Sequence, residues 1–305
     1  MARESYADAA ARAERWELAP GDAGYPESLL DLEDRAPVLR GIGDKDALSG
    51  DCISIVGARL ATPYGIACAR MAGRVAAECG VTVVSGGARG CDHEAGAAAV
   101  GSGGRTVVIP GCGADVVYPR SSEGLFADAV SGHGCVVSLE RWGAPPRKYA
   151  FVRRNEVIAA LSASLVVCEA GRPSGTFGTA TRAAELGRRV YAVPGSIFSP
   201  TSRGTNWLIE SGAAVVCDEQ SLEGLVALDY GRLRFSPSGR GNTPTGSLAS
   251  ALAASPMTPD EVAALMGTDL PRALAELSAQ ELAGLVVRLG DGRYVASAEA
   301  LLAGG

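Results

Sequence analysis

The chain has 305 residues, 47% of them hydrophobic and 20% charged, which is enough apolar content for two domains with sizeable cores. A net charge of −6 and a pI near 5.2 exclude a protein coated in positive charge, so a polyanion could be held only at a local basic patch. Two histidines, no clustered metal-ligand spacing and no apolar run of membrane-spanning length speak against a zinc site and a membrane span. Eight cysteines occur without a C-x-x-C pair, mostly in apolar stretches. They are expected as reduced core thiols, and with no signal-type apolar region near residue 1 they point to the cytoplasm.

Residues 1–50 are polar around Trp16, Tyr25-Pro26 and several leucines, and read as a short helical lead-in rich in turns. From 51 to 231, short apolar runs alternate with alanine-rich helical patterns. The expected strands are 52–56, 81–85, 106–109, 135–138, 165–168, 189–193 and 214–216; the expected helices are 63–79, 93–100, 122–131, 153–160, 179–186 and 205–211. Apolar runs without polar alternation need both sheet faces covered, so this is predicted to be an α/β domain with a doubly wound, Rossmann-like parallel sheet. Residues 232–246 are rich in Pro, Gly and Ser and read as a flexible linker. Over 247–305 the pattern predicts helices at 247–254, 259–266 and 270–281. Thr258-Pro259-Asp260-Glu261 is a capping box that opens the second. Gly290-Asp291-Gly292, between 285–288 and 293–295, signals a hairpin. Three helices and a hairpin make a small winged-helix-like domain.

Charge is distributed unevenly. Between Arg141 and Arg203 there are ten cations against three acids, in a protein that is acidic overall. The densest part is Lys148-Tyr149-Ala150-Phe151-Val152-Arg153-Arg154-Asn155-Glu156, which puts three cations and two aromatics next to a predicted strand. Lys148 is one of only two lysines against twenty-six arginines. Cations grip phosphate oxygens and aromatic faces stack on bases, and single-stranded nucleic acid offers both.

Three glycine-bearing loops should face the carboxyl edge of the sheet, where open α/β folds bind ligands. Gly57 and Arg59 follow the first strand of that domain; the loop is not G-x-G-x-x-G, so no dinucleotide fingerprint is present. Ser85-Gly86-Gly87-Ala88-Arg89-Gly90-Cys91-Asp92 follows the second, with Asp92 readable as the cap of the next helix. Arg172-Pro173-Ser174-Gly175-Thr176 precedes a helix N-terminus suited to anions. Val193-Pro194-Gly195 and Asn206 look structural, Asn206 as a helix cap. Catalysis finds little support: Glu140 and Glu169 follow strands, but each is expected to satisfy a neighbouring Arg or backbone N–H.

These pieces, in this order, resemble the DprA/Smf family of DNA-processing proteins. The likeness rests on Tyr25-Pro26, Val56-Gly57-Ala58-Arg59, Ser85-Gly86 with Gly90 and Asp92, Tyr118-Pro119, Phe151 with Arg153-Arg154-Asn155, Ser174-Gly175-Thr176, Val193-Pro194-Gly195, and Gly204 with Asn206, Leu208 and Ile209. The resemblance implies a Rossmann-like domain that binds single-stranded DNA without a cofactor, protects it during natural transformation and loads the RecA recombinase on it, usually as a homodimer. Carried over by position, the DNA pocket would use Gly57, Arg59, Ser85, Gly86, Lys148, Phe151, Arg153, Arg154, Asn155, Ser174 and Gly175, with no catalytic and no metal site. The chain departs from the family pattern at Glu156, where a basic residue is usual, at Gly96, where a His is usual, and at Ser138-Leu139-Glu140, which splits a Ser-Glu pair.

Two other readings bear on function. Ser174–Thr179 followed by Glu185 faintly echoes the signature of lysine-decarboxylase-like (LOG) nucleotide hydrolases, which would make the chain an enzyme. The third tail helix carries Arg272 together with Glu276 and Glu281, a poor reader of the major groove, so the tail is expected to serve protein contacts or regulation.

Overall fold

The computed structural model describes residues 4–132, 134–234 and 248–303. The chain divides into two compact units, one within residues 1–60 and 68–236 and one within 61–67 and 237–305.

Up to residue 234 the elements run α1 (Tyr6–Arg12), β1 (Arg15–Leu18), β2 (Leu39–Gly43), β3 (Cys52–Val56), α2 (Pro63–Glu78), β4 (Thr82–Ser85), α3 (Cys91–Gly101), β5 (Thr106–Val108), α4 (Glu123–Val130), β6 (Gly134–Ser138), α5 (Lys148–Leu161), β7 (Ser164–Val167), α6 (Thr176–Glu185), β8 (Arg189–Ala192), α7 (Arg203–Glu210), β9 (Ala214–Val215) and α8 (Glu219–Tyr230). Among the described residues, nine strands form one sheet in the order β1-β2-β6-β5-β4-β3-β7-β8-β9. From β6 to β9 in that row all neighbours are parallel. Every residue of β3, β4, β5, β6 and β7 is buried, as the unbroken apolar runs require of strands covered on both faces. The chain winds from β3 outward to β6, then returns to lay β7 against the other side of β3, with Val56 opposite Val167. The topological switch point therefore lies between the carboxyl ends of β3 and β7, where a doubly wound sheet opens a crevice.

The lead-in does more than the sequence pattern suggested. β1 and β2 extend the sheet antiparallel beyond β6. Trp16 and Leu18 point inward from β1 while Arg15 and Glu17 stay exposed, a period-two pattern only four residues long. The Trp16 indole donates to the Gly43 carbonyl at 2.9 Å and lies where a Cβ on Gly41 would be, so β2 accepts glycine at a point where a side chain would collide.

Other boundaries also move. α5 starts at Lys148, not at 153, because Ala150, Arg154, Val157, Ile158 and Leu161 present a continuous buried stripe. α8 was not expected; its start is fixed by a capping box between Asp218 and Ser221. Arg232 pairs with Asp51 at 2.8 Å, and Arg234 contacts Glu78, Glu219 and Glu223 with its side chain nearly buried. The first residues of the expected linker are thus held against this unit; residues 235–246 of it lie outside the described residues.

The second unit contains α9 (Leu248–Ala254), α10 (Pro259–Met266), α11 (Leu270–Leu282), β10 (Val286–Arg288), β11 (Tyr294–Ala296) and α12 (Ala298–Ala303). Thr258 and Glu261 form the reciprocal cap at the start of α10, and Gly267, at φ 62°, ends it. β10 and β11 pair antiparallel over a core of Leu252, Val262, Ala273, Leu277, Val286 and Tyr294. This is a winged-helix arrangement.

Candidate functional site

The cationic stretch lies on the first two turns of α5, and the 100° step of a helix sends its residues in separate directions. Lys148, Phe151 and Asn155 share one face by their i, i+3, i+7 spacing. Lys148 is exposed at the helix start, whereas Phe151 and Asn155 are half-buried. The Phe151 ring rests on Gly111, just after β5, and meets the Tyr118 ring at 5.8 Å between centroids. The Arg59 guanidinium, from the loop after β3, lies 5.3 Å from the Phe151 ring centroid. Two of the sequence candidates from distant parts of the chain are thereby in contact as a cation–aromatic pair at the carboxyl edge.

Arg153 points elsewhere: it reaches Glu140 at 3.5 Å, and the Tyr149 hydroxyl donates to the same carboxylate at 3.2 Å. Glu140 therefore satisfies an Arg, as expected. Glu156 pairs with Arg35 of the lead-in at 2.9 Å. Its negative charge is thus paired with a cation of the lead-in, on a side of α5 turned away from Phe151.

Arg154 turns inward and is only 4% exposed. It donates to the Ile109 carbonyl at 3.2 Å, lies 3.8 Å from the Asp92 carboxylate and flanks the Phe151 ring at 5.9 Å. A Cβ on Gly86 would collide with its guanidinium, which gives Gly86 a packing reason to be glycine. Burial pushes the Asp92 carboxyl above the usual carboxylate range, opposed by Arg154 and by backbone hydrogen bonds from Gly57 and Gly86. Burial likewise lowers the Arg154 guanidinium, opposed by Asp92.

Asp92 is accordingly not the cap of its helix. It is the second residue of α3, whose N-cap is Gly90, and it ties the loops after β3 and β4 together. The N–H of Gly57, a residue that the resemblance puts in the DNA pocket, is taken by this carboxylate. A Cβ on Gly57 would lie 2.6 Å from the Cys91 sulfur, so close packing accounts for the glycine. Ser85 is buried and its hydroxyl donates to the Ile55 carbonyl at 2.7 Å, inside the sheet.

The loop after β7 differs. Ser174 Oγ accepts from the Thr176 N–H at 3.2 Å, and Thr176 Oγ1 donates to the Gly57 carbonyl at 3.4 Å, joining this loop to the first. Gly175, the N-cap of α6, is exposed, and a Cβ there would meet nothing within 4 Å. Its φ of −63° is open to any residue, so neither packing nor backbone geometry calls for a glycine. The Arg172 guanidinium stacks on Trp207 at 4.5 Å. Asn206 is not a helix cap: it lies inside α7 and clamps Gly195 through two hydrogen bonds, at 3.1 and 2.9 Å. Glu185, which carried the hydrolase echo, ends α6 far from these loops, half exposed and paired with Arg182 at 3.0 Å. Glu169 is buried. Among the described residues no group of His, Cys, Asp and Glu could hold a metal ion, and no helix is long and apolar enough to cross a membrane.

The structure thus gathers Arg59, Lys148, Phe151, Asn155, Ser174 and Gly175 along the accessible edge. It puts Ser85 and Arg154 beneath it and Arg153 to one side. Asp92, Gly111 and Tyr118 were missed as organisers of this edge. Gly111 could have been suspected, because it follows a strand end as Gly57 and Gly86 do.

Known proteins of the same arrangement match the chain over most of its length. The family model for DNA recombination-mediator protein A covers residues 17–226, and that for the DprA winged helix domain covers 241–292. Protein Smf of Escherichia coli is 33% identical over 287 residues, 90% of this chain and 76% of the relative. DNA processing protein DprA of Streptococcus pneumoniae is 36% identical over 203 residues, 66% of this chain and 71% of the relative. The X-ray structure of DprA from S. pneumoniae superposes with a TM-score of 0.65 at 33% identity, over 71% of this chain and 75% of that one. A structure concerning the single-stranded DNA binding mode of DNA processing protein A from Helicobacter pylori gives 0.64 at 26% identity, over 72% and 97%. With its doubly wound sheet, its winged-helix tail and these matches, the chain belongs to the DNA recombination-mediator protein A (DprA/Smf) family.

Proposed function

We propose that this protein binds single-stranded DNA along the carboxyl edge of its Rossmann-like sheet and passes it to a RecA-type recombinase during natural transformation, without catalysing a reaction on it. The observation that carries this reading is the contact between Arg59 and Phe151, with Lys148 exposed one turn earlier on the same helix face. A cation beside an aromatic ring at a sheet edge can hold a phosphate and stack its neighbouring base. Membership of the recombination-mediator family and the single-strand binding of the H. pylori relative support it.

The roles divide by exposure. Arg59 and Lys148 hold phosphates, Phe151 stacks on a base, Asn155 and Ser174 offer polar contacts, and the open backbone at Gly175 lets the strand approach the start of α6. Gly57, Ser85, Gly86 and Arg154 act beneath the strand by fixing the loops and seating Phe151. Arg153, tethered to Glu140, lies at the rim. The protein works in the cytoplasm as a homodimer. Its tail, with seven acids against three arginines over residues 248–303, serves protein contacts, because a net negative module is repelled by a DNA backbone.

Fluorescence anisotropy with single- and double-stranded oligonucleotides over a range of salt concentrations tests this. The expected result is a preference for the single strand, with log K falling against log salt by about 0.7 per neutralised phosphate. Equal affinity for duplex, or binding indifferent to salt, would overturn it. Assembly of a RecA-type filament on the bound strand, with and without the protein, tests the recombinase step.

A further inference from the structure

The loop after β8 carries two strongly exposed apolar side chains at the carboxyl edge that the site described above does not use: Ile197 at 76% and Phe198 at 86%. The loop is built to hold them there. Asn206 clamps Gly195 from both sides, the Ser199 N–H closes a turn onto the Ser196 carbonyl at 3.0 Å, and the Phe198 N–H donates to Ser196 Oγ at 3.3 Å. Where the loop runs into α7 it meets the segment after β7: the Pro200 carbonyl lies 3.4 Å from where a Cβ on Gly171 would be, and the Gly204 N–H, in the first turn of α7, is on the Ala170 carbonyl at 2.8 Å. An aromatic ring held in water by a hydrogen-bonded turn forgoes its burial, which for Phe is a substantial loss.

We propose that Phe198, flanked by Ile197, is a second base-stacking platform for the strand held at Phe151, so that the bound strand crosses the switch point from the β5 side to the β8 side. The proposal rests on the single-strand reading above. Its occupant follows from continuity and charge. Phe151 is seated on Gly111, after β5, and Phe198 follows β8; these strands are four spacings apart, about 19 Å. Between them lie Ser174, the open Gly175 and Arg172, the last already stacked on Trp207. Arg203 is exposed at the start of α7, on the other side of Phe198. From residue 170 to 203 the only acid is Glu185, at the far end of α6. An aromatic among cations matches a polyanion with exposed bases, whereas a stable protein interface wants about 800 Å² of surface from each partner and a core depleted of charge.

The experiment measures binding of the full chain to a short oligonucleotide that fills only the Phe151 side and to a longer one that spans both. Phe198→Ala is expected to weaken the longer strand on the order of tenfold, consistent with one lost base stack, and to leave the short one unchanged. Phe198→Tyr, which keeps the ring, should restore it. Ultraviolet crosslinking of a strand carrying 5-iodouracil should mark residue 198. If Phe198→Ala leaves the longer strand within about twofold while Phe151→Ala weakens both, the platform is refuted and the Phe151 site stands. If Phe198→Ala keeps strand binding but abolishes recombinase filament assembly, the loop is a protein-docking element and the proposal is wrong. If the unaltered protein shows no single-strand preference, the underlying reading fails with it.

Discussion

The two sides of the switch point use similar sequence for opposite purposes. On the β3–β4 side, Gly57 and Gly86 are enforced by packing against Cys91 and Arg154, and their N–H groups serve Asp92. On the β7 side, Gly175 faces open space with an ordinary backbone angle, and Ser174 holds the turn before α6. One side is closed by its own buried charge pair; the other is left accessible. A glycine after a strand therefore carries two meanings, and only its surroundings separate them. The closed half fixes the loops beneath Arg59 and Phe151, and the other half leaves the start of α6 open.

The strongest way to break this contrast is to remove the buried cation. Arg154→Ala leaves Asp92 without its charge partner at a site that water barely reaches, and a loss of about 3–5 kcal/mol in unfolding free energy is expected by chemical denaturation. If the variant is as stable as the parent, the pair is not what closes this half.

Glycine substitutions should then separate the two halves. Gly57→Ala forces a Cβ against Cys91 and is expected to cost about 1–3 kcal/mol of stability, as overpacked sites do. Gly175→Ala has room and should alter stability by less than about 0.5 kcal/mol, as surface changes usually do, while Gly175→Asp should weaken single-strand binding by placing an anion on the path. Thermal or denaturant melts beside anisotropy titrations read both quantities, and equal stability losses at the two positions would erase the distinction.

Salt dependence probes the accessible cations. Arg59→Ala with Lys148→Ala should reduce the slope of log K against log salt by about 1.4, two phosphates' worth for a single strand. An unchanged slope would mean that neither residue touches the backbone of the strand. Little change in binding is expected at Glu156: Glu156→Gln breaks a half-exposed pair with Arg35, so stability should change by no more than about 1 kcal/mol and the salt slope should stay the same. A large gain in affinity would show that Glu156 faces the strand after all.

Much of the parallel sheet could be read from apolar runs, because a strand buried on both faces shows no polar alternation, and the hydroxyls it does hold, such as Ser54 and Ser85, are bonded to backbone carbonyls. The lead-in strands could not: β1 offers four residues of alternation and β2 is rich in glycine, and each becomes a strand by pairing with distant residues, β2 with β6 above all. The helix of the cationic stretch was recognised, but its first five residues were not, since Lys148, Tyr149 and Val152 carry little apolar periodicity and are recruited by the buried stripe that follows. Within the candidate site, residue types and spacing pointed to Arg59, Phe151 and Gly175. They gave no sign that Arg153 and Glu156 would turn toward Glu140 and Arg35, because those partners lie on other segments.

By itself the sequence determined which segments must be buried, where the glycine-bearing loops follow strands, and that a cationic and aromatic cluster sits in an acidic chain. These properties are local, set by hydropathy period and residue chemistry. Only the tertiary structure decided which members of the cluster face outward. That depends on the 100° step of α5 and on what each direction meets: Asp92 and Gly86 below Arg154, Glu140 beside Arg153, and Arg59 over Phe151.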